Sequence, residues 1–236
     1  MSRTYHFQRE GAASDASRKR KNRGRKEGDV VKGEKKRIRK VTSSKAAVAY
    51  AWLVGRWQKD LISGGTNNAT SLAALVRVLD LMAEQKPFSS RSVFIDMGSG
   101  CGLPCIYTAL RYGCRVVGVE KDEGLVALAR TYADDVGVGA LCSFVCCGFE
   151  TLGTEWLTER NTTHVFCYDG VFRAATWNTL FHTVLAGADG HLVGASASKY
   201  RVYWPKGFEL VGKVKGVKLS ASKSSFTLGV WVMPQK

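Results

Sequence analysis

The segment Val93–Pro104, VFIDMGSGCGLP, decides the fold. Val93–Met97 reads as a short buried strand, Gly98, Gly100 and Gly102 follow in alternation, and Leu103 opens a helical stretch. Glycines in such a turn let the backbone bend tightly and approach a ligand with no Cβ in the way. The helix that follows presents unpaired N–H groups at its start. The pattern here is Asp96-x-Gly98-x-Gly100-x-Gly102. Dinucleotide sites instead use G-x-G-x-x-G, with pyrophosphate on the helix N-terminus. A carboxylate beside the turn would repel pyrophosphate, whereas it suits a cationic amino group.

Working outward, short apolar runs alternate with helical stretches. Arg115–Val119 is a second strand, and Glu120 stands at its tip, 24 residues after Asp96. A carboxylate at that tip can accept both hydroxyls of a ribose. Helices are predicted over 103–112, 123–136, 154–160 and 174–186, and further strands over Leu141–Cys146, His164–Tyr168 and Gly190–Ala195. This β-α-β-α rhythm implies a parallel sheet covered by helices on both faces. Phe208–Leu219 and Ser225–Met233 are strand-like with no room for a helix between them, so they pair as an antiparallel hairpin at the sheet edge. Upstream, apolar residues at helical spacing predict a helix from about Ser43 to Ile62. After a Gly-Gly-Thr-Asn-Asn break, a second helix is expected from Thr70 to Gln85, closed by Pro87.

An α/β chain with two leading helices, a Rossmann-like parallel sheet and a C-terminal antiparallel hairpin resembles the class I methyltransferases. The D-x-G-x-G-x-G loop matches their S-adenosylmethionine motif. The resemblance implies that Asp96, Gly98, Ser99, Gly100 and Gly102 hold the methionine end of S-adenosylmethionine. It places Glu120, followed by Lys121, at the ribose. It turns the third-strand tip, Cys147-Gly148-Phe149-Glu150, toward the adenine, where Phe149 either stacks on the ring or serves as ordinary core. The fourth-strand tip, Tyr168-Asp169-Gly170-Val171-Phe172, then opens beside the transferred methyl. It lacks the Asn/Asp-Pro-Pro-aromatic run of enzymes that methylate exocyclic base amines. Pro104-Cys105 lies in the cofactor loop region, so it does not fit a cytosine-C5 nucleophile.

Several stretches together resemble the disruptor-of-telomeric-silencing (Dot-one type, non-SET) histone-lysine methyltransferases, over about residues 63–195. The stretches are Phe94-Ile-Asp96-Met-Gly98-Ser-Gly100-Cys-Gly102, Gly118-Val-Glu120-Lys121, Glu155-Trp156, and Val165-Phe166 with Asp169 and Phe172. Asp169 replaces the family's Asn, the acid and Phe at the third-strand tip are reversed, and the substrate loop at Gly64-Gly65-Thr66-Asn67 lacks the family's tyrosine. The resemblance implies a nucleosomal lysine as acceptor and a nuclear location. Asp169 and Phe172 would shape the methyl-transfer end, with Thr66 and Asn67 in a covering loop from which Thr66 would contact the cofactor.

Charge is divided along the chain. Residues 1–45 hold 16 Lys and Arg against 5 Asp and Glu, and residues 46–236 hold 19 against 15. That excludes a uniformly basic packaging protein. Residues 1–42 contain too little apolar material to offset ordering entropy and are expected to form a disordered basic tail. Residues 43–88 form a helical lead-in, and 89–236 the methyltransferase domain. The clusters within 18–40, RKRKNRGRK and KKRIRK, suit nuclear import or a nucleic-acid arm that neutralises phosphates. No aromatic interleaves with them to stack on bases. The same composition suits a ribosomal or transfer-RNA methyltransferase, and a catalytically weak cofactor-binding scaffold is the third reading. No apolar run approaches the roughly 20 residues of a membrane span, and the N-terminus has no signal-peptide core. The seven cysteines, all between 101 and 167, contain no C-x-x-C pair and read as reduced core residues rather than a metal site.

Overall fold

A computed structural model of the chain describes residues 44–60, 70–168, 172, 174–185, 192–197, 208–218 and 225–233. The basic tail lies outside the described residues. Seven strands form one sheet in the order β3-β2-β1-β4-β5-β7-β6. They are β1 (Val93–Met97), β2 (Arg115–Glu120), β3 (Cys142–Cys146), β4 (His164–Cys167), β5 (Leu192–Ala197), β6 (Glu209–Lys218) and β7 (Ser225–Met233). The first five run parallel, and β7 is antiparallel to both β5 and β6. The fold is that of a class I methyltransferase, with its antiparallel C-terminal hairpin.

All five residues of β1 are buried, because the strand has neighbours on both sides and helices on both faces. Its side chains alternate. Val93, Ile95 and Met97 enter one apolar cluster with Trp156, Leu157, Leu180 and Val184. Phe94 enters the other, with Leu53, Leu79, Tyr107 and Phe144. Strand alternation puts Asp96 on the same face as Phe94.

That second face is covered by α1 (Lys45–Asp60), α2 (Leu72–Gln85), α3 (Leu103–Tyr112) and α4 (Glu123–Asp135). The lead-in helices thus share one core with the sheet. Tyr50, Leu53 and Trp57 recur at helical spacing on the buried side of α1. Leu75, Val78, Leu79 and Met82 do the same on α2. The opposite face carries a short helix, α5 (Trp156–Glu159), and α6 (Ala174–Thr179). The helix predicted over 174–186 changes character midway, because Leu180–Leu185 is π-helical. The wider turn is consistent with Leu180, Val184 and Leu185 all being buried.

At the base of the sheet His164 is fully buried and stacks on Phe88 with centroids 3.8 Å apart. Its Nε2 lies 2.9 Å from the Lys86 carbonyl, which can only accept, so Nε2 carries the proton. Nδ1 is then the acceptor for the Thr163 hydroxyl at 2.8 Å. Burial pushes the imidazole pKa down to about 4, against 6.5 in an unfolded chain. The unfolded state therefore takes up a proton that the folded state refuses between those values. The contribution is intact above pH 6.5 and is lost as pH falls toward 4, by about 3 kcal/mol. Denaturant unfolding of wild type and His164→Gln at several pH values isolates it, because only the wild type should show this slope. The difference also cancels Asp96, whose raised pKa acts in the opposite sense.

Candidate active site

The loop between β1 and α3 is strapped to the tip of β2. Gly98 N and Ser99 N donate to the Val119 carbonyl at 2.9 and 3.0 Å, and Gly102 N donates to Ser99 O at 2.9 Å. Gly98 and Gly102 have φ of +83° and +76°, the left-handed region that favours glycine. A Cβ on Gly102 would lie 2.6 Å from the Phe144 ring, and one on Gly118 would meet that ring and Ser99 Oγ. Phe144, on β3, is thus the side chain that makes both glycines necessary. The signal for it in the sequence was Gly118 inside a strand, which marks a close approach.

Glu120 is anchored rather than free. Its Oε2 accepts from Gly100 N at 3.0 Å, and its Oε1 accepts from Lys121 N and Asp122 N at 2.9 and 3.1 Å. Three amides thus fix the carboxylate between the two loops. A carboxylate offers about four acceptor positions, so Oε2 keeps one for a hydroxyl. Lys121 contributes its amide, and its side chain is exposed. Asp122 caps α4 by accepting from Leu125 N at 3.1 Å.

Asp96 is 1% exposed, and its Oδ2 has no hydrogen-bond partner among the described residues. Burial first, and the Glu120 charge second, hold its pKa well above the usual carboxylate range. A buried carboxyl oxygen without a partner is costly, and such orphans call for an explanation. Ser99 Oγ is likewise buried and unpartnered. Asp96 beside a glycine cradle, with an amide-anchored Glu120 across it, offers an acceptor for an ammonium and an acceptor for a hydroxyl. That donor set fits S-adenosylmethionine.

Phe149 and Phe172 lie together, with ring centroids 5.6 Å apart and planes at 57°. Phe172 also covers Gly98, where a Cβ would lie 2.7 Å from its Cζ. The resemblance places Phe149 either on the adenine or in the core, and Phe172 at the methyl-transfer end. The two rings form one aromatic wall joining the tips of β1, β3 and β4. Both sit in the apolar cluster on the α5–α6 face, which draws them together. Asp169 and Thr66, with Asn67, lie outside the described residues.

Tyr50 of α1 was legible only as a core position. It is 2% exposed, its hydroxyl donates to Thr70 O at 2.5 Å, and its ring meets Tyr107 edge-on. Burial raises its pKa, so the phenol stays neutral behind the cofactor loop. Burial also pushes the Cys101 thiol up to about 12, so it is no thiolate nucleophile. Among the described residues no group of His, Cys, Asp and Glu is placed to hold a metal.

Comparison with known proteins agrees with this geometry. The model of the family "Histone methylation protein DOT1" matches residues 73–141. That span runs from α2 to the start of β3, including the glycine loop and Glu120, and stops before the tip of β4. No match was found among curated proteins. Among solved structures, the chain is similar to a provisionally assigned RNA methyltransferase of Pyrococcus horikoshii. The identity is 12%, the TM-score 0.57, and the coverage 81% of this chain and 98% of that one. It is also similar to TrmN of Thermus thermophilus, at 17% identity and TM-score 0.50, over 69% of this chain and 49% of that one. At such identities these likenesses attest the fold alone. Fold, family match and donor set agree on S-adenosylmethionine as the cofactor.

Proposed function

We propose that this chain is an S-adenosylmethionine-dependent methyltransferase whose acceptor is a histone lysine in the nucleosome, acting in the nucleus. The observation that carries the methyltransferase reading is the unpartnered Asp96 carboxyl oxygen inside the glycine cradle. The DOT1 match over 73–141 supports the acceptor class. The tail supports a phosphate-bearing substrate, since residues 1–42 hold 15 of the 35 Lys and Arg.

The cofactor, when bound, supplies a methyl already activated on a sulfonium. What remains for the protein is alignment, water exclusion and control of one proton. Asp96 holds the cationic amino group, and Glu120 Oε2 holds a ribose hydroxyl. The Phe149–Phe172 wall keeps water from the reacting end. A lysine ammonium, with an ordinary pKa of about 10.4, must lose its proton before it can attack. An apolar wall favours the neutral amine by desolvation. Asp169, two residues past β4, orients that amine.

Methyl transfer from tritiated S-adenosylmethionine to nucleosomes, free histones and total RNA, run in parallel, tests the acceptor. The expected result is label on a histone in nucleosomes, sensitive to salt. Label in RNA alone would make the chain an RNA methyltransferase. Cofactor binding with label nowhere would make it a scaffold.

A further inference from the structure

The outer face of α1 bears side chains that the core does not use. Val48 and Trp52 are 62% and 49% exposed. They lie on one stripe, 45-48-52-55-59, whose spacing of three and four keeps it on a single helix face. Exposed lysines, Lys45 and Lys59, stand at its two ends, about 21 Å apart along the axis. Between them Gly55 has no heavy atom within 4 Å of where a Cβ would lie, so the helix surface beside the indole is open. Packing does not demand this glycine, although glycine weakens a helix interior.

The indole is held in place. The Arg56 guanidinium carbon lies 5.5 Å from its ring centroid. Arg56 is fixed in turn by ion pairs with Asp60 and Asp135 and by the Tyr132 ring. Those two acids are therefore engaged, since Asp60 also accepts from the Tyr132 hydroxyl. The stripe itself carries no acid.

We propose that this face binds a single-stranded nucleic acid, with an unpaired base stacked on Trp52 and phosphates on Lys45 and Lys59. A half-exposed, pre-ordered indole between cations is the combination that single-strand sites use. The chain that leads into α1 holds 15 Lys and Arg against 5 Asp and Glu over residues 1–44, so the local field favours a polyanion. A protein partner or a second copy fits less well. Val48 and Trp52 expose of order 200 Å² together, against roughly 800 Å² per partner in a stable interface. The aromatic that the basic clusters within 18–40 lack is thus supplied by α1. The site does not depend on which acceptor is methylated.

Fluorescence anisotropy of the full chain tests this with three labelled probes of equal length: oligouridine, an abasic strand and a duplex. Wild type should bind oligouridine more tightly than the abasic strand by roughly 5- to 150-fold. Trp52→Ala should lose that preference while keeping the affinity for the abasic strand and its salt slope. Trp52→Phe should retain most of the preference, and Lys45→Ala with Lys59→Ala should flatten the salt slope. S-adenosylmethionine binding by Trp52→Ala, measured by calorimetry, should be unchanged, which separates this site from the cofactor site. Equal binding of oligouridine by wild type and Trp52→Ala would overturn the proposal. So would tightest binding of the duplex, or a change of oligomeric state in Trp52→Ala by sedimentation.

Discussion

Replacing Asp96 with Asn should remove S-adenosylmethionine binding measurable by calorimetry while leaving the fold at least as stable as wild type. The substitution keeps the shape and deletes the charge. Truncating one member of a buried charge pair costs about 2–5 kcal/mol, a loss of thirtyfold to several thousandfold in affinity. The free protein loses nothing comparable, because the Asp96 oxygen has no partner to forfeit and its burial is already unfavourable. Binding should also be linked to protons in the wild type. Below the raised pKa of Asp96 the carboxyl is neutral, so taking up an ammonium requires it to release a proton. Affinity then rises with pH and levels off once the carboxyl is ionised in the free protein. Titration in buffers of different ionisation enthalpy reads that release. Near-normal binding by Asp96→Asn would remove the residue from the site.

Gly102→Val should have the largest effect on stability. The residue sits at φ +76°, where a β-branched side chain is strained, and a Cβ there meets Phe144 at 2.6 Å and Ala129 at 3.0 Å. The left-handed backbone costs about 1–2 kcal/mol, and overpacking adds about 1–3 kcal/mol. The sum, about 2–5 kcal/mol, is a large part of the stability of an ordinary domain. Denaturant unfolding measures it directly. A second substitution, Phe144→Leu, should recover part of the loss by relieving the clash. Stability of Gly102→Val within about 0.5 kcal/mol of wild type would mean that α3 does not pack on β3 through this glycine.

The elements that were legible in the sequence are those governed by local period and turn chemistry. β1 announced itself as an apolar run because it is buried on both faces, and the loop after it because its glycines alternate. Glu120 could be placed at the tip of β2 from the length of that strand alone. Its amide partners could not, since they depend on how the β1 loop folds back onto Val119. The joining of Phe149 to Phe172 was hidden for the same reason. The two residues are far apart in the chain, and a shared apolar cluster brings them together. Tyr50 was hidden differently. Its spacing marks a core position, and only the three-dimensional position of α1 sets it against Tyr107 of α3, beside Asp96 and Cys101 of the cofactor loop. The insertion of β7 between β5 and β6 is likewise a matter of topology, on which residue periodicity is silent.

The central claim is that one cofactor site is built from the tips of β1, β2 and β3. Amide hydrogen exchange of the full wild-type chain, with and without S-adenosylhomocysteine, tests it most directly. The expected result is new protection in three separate stretches, 96–104, 118–122 and 147–151, with little change along the outer face of α1. Binding without protection of the 96–104 loop, or protection confined to another part of the chain, would contradict the account.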